Sequence, residues 1–293
     1  MTVLTTRDGL KLHLERWPVG GSAHGMVQIV HGLGEHIGRY EALAQELNVA
    51  GWHVAGHDQR GHGRSEGPRG SVPNRQALLS DLSAVTDHLR RGGRHILLGH
   101  GLGGLVAARF VAEGLMHRAQ RWARDVDGLV LSSPALDPGL MLLQRLALRL
   151  LNPVLPALRL RRGLQPRRLS RDPEVVRRCA DDPLVHRQVT PRLMRFIVDE
   201  GRLVRGRAAR WRTPTLLRWA GADRCVSPQG SAAFAAAAPA RVVTAHAFPG
   251  LFHEIFNEPE RDAVVAQLLG WLAQFQRAAK DSGAVAVSAS AAG

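Results

Sequence analysis

Residues 26–30, 52–55, 95–98 and 128–131 are short apolar runs, and the stretches between them, at about 39–49, 75–90 and 103–116, repeat their apolar residues with helical spacing. A strand with apolar residues at both odd and even positions, interrupted here only by Gln28, His53 and His95, has both faces covered, and the arrangement that covers both faces is a parallel sheet with crossover helices packed on either side. This alternation excludes an all-helical or all-β chain. It is entered through residues 3–6 and 10–16, which predict a hairpin across Asp8-Gly9.

After Ser133-Pro134 the rhythm stops. It resumes at Thr213-Pro214 with a strand at 215–219, a helix from about Ser227, a strand at 241–244 and a last helix over about 260–276. An excursion between two halves of one alternation predicts an insertion with its ends close together, not a second domain. The expected organisation is an α/β core of residues 1–134 and 213–277, a helical cap at 135–212, and a small-residue tail at 278–293 that reads as disordered.

The formal charge is +14, and residues 135–212 hold 18 arginines against 7 acidic residues, which leaves +3 for everything else. A nucleic-acid partner is disfavoured, because the excess sits on an apolar, aromatic-poor cap, and the near absence of lysine (Lys11 and Lys280 only) marks part of the arginine as compositional background. Two cysteines, Cys179 and Cys225, are too few for a disulfide framework or a cysteine zinc module, which points to a reducing compartment. Arg7, Asp8 and Lys11 leave no apolar core for a secretory signal, and no run reaches 18 apolar residues. The expectation is a soluble cytoplasmic protein.

Residues 97–104, Leu-Leu-Gly-His-Gly-Leu-Gly-Gly, close a strand pattern and open a helix pattern. That is the place of a nucleophile elbow, G-x-S-x-G, where small residues flank a serine on a sharp turn; here Gly101 holds the central position. Gly99, Gly101 and Gly104 also match G-x-G-x-x-G, but the following strand ends in Ser132-Ser133 and lacks the acid that would hold a ribose. The elbow is therefore preferred to a dinucleotide loop. His31-Gly32-Leu33-Gly34-Glu35-His36 follows the strand at 26–30, where a glycine-rich loop can turn a backbone N–H toward a developing oxyanion. Asp223, after the strand at 215–219, and His253, after the strand at 241–244, complete the order nucleophile, acid, histidine. Histidines 31, 36, 53, 57 and 62 crowd one region, yet no spacing among them fits a metal-ligand pattern, so they read as core or solvated residues.

On these motifs, with Arg39-Tyr40, Asp58-Gln59-Arg60-Gly61-His62-Gly63-Arg64-Ser65, Gly221-Ala222-Asp223 and His253-Glu254, the chain resembles the α/β-hydrolases of the monoacylglycerol lipase and bacterial lysophospholipase type, from about residue 3 to 276. The resemblance implies oxyanion donors at the backbone N–H groups of Leu33 and Leu102, a triad completed by Asp223 and His253, a cap that forms the acyl entrance, and no cofactor. It implies hydrolysis of carboxylic esters with one acyl chain, with a lysophospholipase or a non-catalytic acyl-ligand binder as alternatives. Gly101 departs from it, standing where the family has its serine. Glycine tolerates the elbow backbone, but without an oxygen at 101 no acyl-enzyme forms. Either a natural non-catalytic chain or a serine replaced to trap substrate fits; the retained acid, histidine and loops favour replacement.

In the cap, Leu143, Leu146, Ala147 and Leu150 share one helical face, with Arg145, Arg149 and Asn152 on another, and Pro153 and Pro156 end the helix. Two readings stay open. The apolar stripe covers the hydrolase core and the arginines are solvated, or the helix is a lid whose charge meets anionic lipid at a membrane surface.

Overall fold

The computed structural model describes residues 2–90, 92–161 and 165–290. Eight strands form one sheet in the order β1-β2-β4-β3-β5-β6-β7-β8. They are β1 (Thr2–Thr5), β2 (Lys11–Trp17), β3 (Gly25–Val30), β4 (His53–His57), β5 (Arg94–His100), β6 (Gly128–Ser132), β7 (Thr215–Ala220) and β8 (Val243–Phe248). β2 pairs antiparallel with β1 and β4, and every pairing from β4 across to β8 is parallel. The α/β fold with its mainly parallel sheet is thus the one the alternation predicts.

The helices are α1 (Glu41–Val49), α2 (Ala77–Leu89), α3 (Gly101–Ala112), α4 (Leu142–Val154), α5 (Pro173–Asp181), α6 (Pro191–Arg207), α7 (Pro228–Ala237) and α8 (Arg261–Ser290). Side chains on a strand alternate between faces, so β5 sends Leu97 to a core shared with Leu82, Leu105 and Phe110, and Ile96 and Leu98 to a second core shared with Leu47, Val264 and Leu268. β6 repeats this with Leu129 and Leu131 on one face and Val130 on the other. Full burial of each such side chain is worth about 1.5–3 kcal/mol, and this double coverage fixes the strand ends that carry the site.

Three features differ from the sequence expectation. The ends of the excursion are not adjacent: it leaves the C-terminal end of β6 and re-enters at the N-terminal end of β7, and because those strands are parallel neighbours the excursion is itself their crossover. α6 serves as the crossover helix, with Leu193, Phe196, Ile197 and Val204 packed into the first core. The last strand lies at 243–248 and not 241–244, because Val242 and Val243 turn back to donate to the Pro239 carbonyl, and this edge strand has three consecutive exposed residues and so no clear apolar signal. α8 runs through the segment expected to form a tail from 278; alanine-rich sequence propagates a helix already nucleated, and residues 291–293 lie outside the described residues. Among the described residues no helix is long and apolar enough to cross a membrane.

Candidate active site

Gly101 is the first residue of α3, at the carboxyl end of β5, with φ of 54°. That left-handed conformation is one a residue with a Cβ adopts only at a cost. A Cβ built at 101 would lie 3.1 Å from His253 Nε2 and 3.7 Å from the Gly32 Cα. Any side chain at this position therefore starts toward the imidazole. Gly99 and Gly104 have a different reason to be glycine, since a Cβ on Gly99 would fall 2.7 Å from the Gly104 Cα. Close packing of strand on helix thus accounts for the G-x-G-x-x-G spacing.

On its other side the imidazole meets Asp223. His253 Nδ1 donates to Asp223 Oδ2 at 2.7 Å, while Asp223 Oδ1 accepts from the amides of Cys225 at 2.7 Å and Val226 at 3.0 Å. Burial opposes the carboxylate, but the His253 ring and these amides outweigh it and hold Asp223 below the usual range. Burial likewise disfavours a charged His253, yet the Asp223 charge and hydrogen bond prevail and its pKa is raised. The His100 ring lies 4.6 Å from that of His253 and pairs with Ser132 Oγ at 3.0 Å. Burial, then the neighbouring His253, push His100 down to about 4, so it stands neutral beside the Asp223–His253 pair.

The loop after β3 is braced from three directions. Gln59 donates its backbone N–H to His31 Nε2 at 2.9 Å and its side-chain amide to the His31 carbonyl at 2.6 Å. Asp58 accepts from the Ile37 amide at 2.8 Å and the Arg64 amide at 2.7 Å. This explains why two distant motifs accompany each other: the Asp58-Gln59 loop holds the His31–Ile37 loop in place. Third, Glu35 accepts from the Gly32 amide and from the Tyr40 hydroxyl at 2.8 Å, and Arg39 spans Glu35 at 2.9 Å and Glu254 at 2.6 and 2.8 Å. Burial alone would raise the Glu35 pKa, but Arg39, with His100, His31 and the Tyr40 hydroxyl, brings it down to about 2. The residue before Leu33 and the residue after His253 are thereby tied into one ion-paired cluster.

Leu33, Leu102, Gly101's neighbour Gly32, Asp223 and His253 all line one cavity of about 1070 Å³. Leu102 lies in the first turn of α3, where an amide has no acceptor within the helix, and the Leu33 amide has no acceptor in the chain among the described residues. Leu148 and Leu151 of α4 and Met194 and Ile197 of α6 form an apolar wall. The cap is pinned to the loop through His186, whose amide donates to the Gly34 carbonyl at 2.8 Å and whose ring lies 4.6 Å from that of His62. The crowded histidines do not converge: among the described residues, the one group of ligand atoms that lie close together is Asp223, Cys225 and His253, within 4.8 Å of one another. Its carboxylate and imidazole are already joined by hydrogen bonding.

The cap helix corrects one expectation and narrows another. Leu143 and Leu150 are 76% and 66% exposed, so the leucines of the predicted apolar stripe face outward and do not cover the core; of that stripe only Ala147 lines the cavity, together with Leu148 and Leu151. Pro153 lies inside the last turn of α4, where the helix stops one residue later at Val154. In the sequence motifs Glu35, Arg39 and Glu254 are letters without a role, and nothing in the sequence singles out His100, His186, Arg168 or Arg224. The signal for the first three was present, as two acids and an arginine that are the charged letters in loops otherwise made of glycine, histidine and apolar or aromatic residues.

Residues 21–260 match the model of the family described as serine aminopeptidase, S33. The monoacylglycerol lipase of Mycolicibacterium smegmatis is 31% identical over 274 residues, covering 90% of this chain and 93% of that protein. Phospholipase YtpA of Bacillus subtilis is 32% identical over 246 residues, 82% of this chain and 91% of that protein. The crystal structure of the Paleococcus ferrophilus monoacylglycerol lipase superposes with a TM-score of 0.78 at 33% identity, over 90% of this chain and 99% of that one. With the elbow, the dyad and the braced loop in one cavity, the chain belongs to this hydrolase family and is an α/β-hydrolase of the monoacylglycerol lipase type.

Proposed function

We propose that this scaffold acts on carboxylic esters with a single acyl chain, monoacylglycerols first, and that the chain with Gly101 binds such esters without turning them over. The observation that carries the reading is the histidine: its Nδ1 is fixed by Asp223 and its Nε2 faces, at 3.1 Å, the place where a side chain on residue 101 would begin. With serine there, Nε2 would accept the hydroxyl proton, the oxygen would attack the ester carbonyl, and the Leu33 and Leu102 amides would bind the oxyanion. The chain's own relatives, a monoacylglycerol lipase and a phospholipase by name, support an ester of this class. Without the oxygen, only the weak assistance of oxyanion hole and binding remains, about 10³–10⁴ over water in triad enzymes. Incubation with 1-lauroylglycerol followed by native mass spectrometry tests this directly. Intact ester on the protein with no released laurate is expected; steady release at a triad enzyme's rate would sink the claim of inactivity.

A lysophospholipase of the same mechanism is favoured by the basic cap, and a non-catalytic acyl-ligand binder by Gly101 itself. No cofactor enters the scheme. The same cap supports a cytoplasmic protein that associates with membranes from the side: Leu142, Leu143, Leu146, Leu150 and Val154 are exposed along α4, within a segment of balance +11. Sedimentation with anionic liposomes should therefore exceed that with neutral ones and weaken as salt rises, since exposed charges are screened over about 8 Å at physiological ionic strength. Equal binding to both vesicle types at low salt would leave the arginines as solvated surface.

The raised His253 pKa carries a second prediction, for the Gly101→Ser enzyme. A protonated imidazole cannot accept the serine proton, so kcat/KM falls as pH drops through that raised pKa, along a limb centred above the usual histidine value of 6.5. Asp223→Asn removes the charge that raises it and leaves burial, which lowers it; the limb of the residual activity then moves to lower pH. A pH–rate profile with its limb unmoved in that variant would contradict the electrostatic assignment.

A further inference from the structure

Beside the Asp223–His253 pair stands a side chain that ester hydrolysis does not use. Cys225 lines the same cavity as Asp223 and His253, and one ligand atom from each of the three lies within 4.8 Å of the others. A carboxylate oxygen, a thiol sulfur and an imidazole nitrogen are the three donor types that zinc takes in proteins, at about 2.0–2.3 Å from the ion. Donor atoms around one such ion are about 3–4 Å apart, so a closing movement of at most about 1 Å brings the three onto a common ion.

The backbone sets this arrangement. The amides of Cys225 and Val226 take Asp223 Oδ1, at 2.7 and 3.0 Å, so the turn that orients the carboxylate also carries the thiol, and Oδ2 is left to face His253 Nδ1 at 2.7 Å. The Cys225 sulfur has a long contact of 3.6 Å to the Arg168 carbonyl. A thiol is a weak donor, so this bond holds the side chain without committing it. Burial, then the Asp223 and Glu254 charges, push the Cys225 thiol up, with Arg168 opposing. The negative field that keeps the thiol protonated is one that attracts a cation. Cys225 also packs against the cluster of Leu169 and Cys179, but any small apolar side chain would serve there. Packing gives no reason for sulfur beside an acid and an imidazole that already face each other.

We propose that Asp223, Cys225 and His253 form a binding site for a divalent zinc ion, which on binding switches the imidazole to the tautomer that cannot serve ester hydrolysis. The site itself is independent of the ester-hydrolase reading, and only its inhibitory consequence rests on that reading. The ion takes the place of the proton between His253 Nδ1 and Asp223 Oδ2. That proton passes to Nε2, the thiol gives its own proton to solvent, and one proton is released for each ion bound, with no change of oxidation state. The Nε2–H then faces, at 3.1 Å, the place where a side chain on residue 101 would begin, and it can no longer accept a hydroxyl proton.

Titration of the full, tag-free chain reads the site directly, with Cd²⁺ followed by its ultraviolet sulfur-to-metal charge-transfer band and Zn²⁺ by calorimetry. A saturable band is expected, with Zn²⁺ displacing Cd²⁺ at a Kd of about a micromolar or tighter at pH 8 and about one proton released per ion. Cys225→Ser should abolish the band, and Cys179→Ser should keep it. Asp223→Asn and His253→Ala should each weaken binding by at least about tenfold, the loss that even an outer partner of a metal ligand can cause. Nitrogen NMR should show the His253 ring pass from Nδ1–H to Nε2–H on zinc loading. In the Gly101→Ser background Zn²⁺ should inhibit hydrolysis of 1-lauroylglycerol, a chelator should restore it, and added Cys225→Ser should remove most of the sensitivity. A band that survives Cys225→Ser, an affinity unmoved by Asp223→Asn and His253→Ala, or no saturable binding would overturn the site. A loaded ring that keeps Nδ1–H would overturn the switch. A Gly101→Ser chain that binds zinc with the ring switched yet hydrolyses no ester would uphold this inference and sink the ester-hydrolase reading instead.

Discussion

Gly101→Ser is expected to raise ester hydrolysis by about 10⁴-fold or more over the chain with glycine, since loss of a triad member costs up to about 10⁶ in serine hydrolases while oxyanion hole and binding persist. The gain should vanish when His253→Ala is added, and fall by about 10⁴-fold with Asp223→Asn, which leaves the imidazole without the acceptor that fixes its tautomer. His253→Ala in the glycine chain should change almost nothing. This non-additivity separates a unit of three residues from three independent contributions. Hydrolysis of 1-lauroylglycerol and of a chromogenic ester is the measurement, with melting curves for each variant.

The melting curves carry information of their own. At φ of 54° a serine sits in a conformation that costs about 1–3 kcal/mol for residues other than glycine, and its Cβ would press on the His253 ring at 3.1 Å. The serine variant should therefore be more active and less stable than the chain with glycine. A serine variant that folds, melts lower and hydrolyses neither ester would show that the elbow geometry is right and the assignment of substrate class or triad wrong. The acyl-ligand binder would then be the better account.

That Gly101, Asp223 and His253 come together was legible because each stands in a loop or turn after a strand, in an order that few architectures use, although the edge strand before His253 has no clear apolar signal. The hairpin at Asp8-Gly9 and the alternation of β3 to β6 were legible for a related reason, local periodicity. What escaped is what depends on distant partners. Arg39 and Glu254 are 215 residues apart, and nothing local says that one guanidinium joins the loop after β3 to the residue after His253. The cap helix escaped differently. Its leucines lie on both sides of α4, so periodicity shows that a face exists without showing which face meets the cavity, and Leu143 and Leu150 proved to be the outer one. The excursion's ends were misplaced because adjacency in sequence rhythm does not distinguish an insertion in a loop from the crossover between two parallel strands.

Arg39→Met is expected to destabilise the fold by about 3–5 kcal/mol, because it strands two carboxylates that are almost wholly buried, Glu35 and Glu254. For a chain of this size that corresponds to a fall of about 5–8 °C in Tm. The sign of the pH dependence distinguishes this from lost packing. With Arg39 present, Glu35 is held at about 2, below its ordinary value of 4.5, so its contribution to stability is complete above about 4.5 and is lost as pH falls toward 2. With Arg39 removed, burial dominates and raises the carboxyl pKa above the unfolded value; the penalty is then full at high pH and shrinks as pH falls through the raised pKa. The deficit of the variant should accordingly be larger at pH 8 than at pH 5. Adding Glu35→Gln and Glu254→Gln to Arg39→Met should recover much of the stability by leaving no charge to strand, yet it should not recover activity in the Gly101→Ser background, because the amide of Gly32 and the loop that aims Leu33 would have lost their anionic anchor. A deficit independent of pH, or a triple substitution as unstable as Arg39→Met alone, would assign the loss to packing of the arginine stem and show that the ion-paired cluster does not hold the loop after β3.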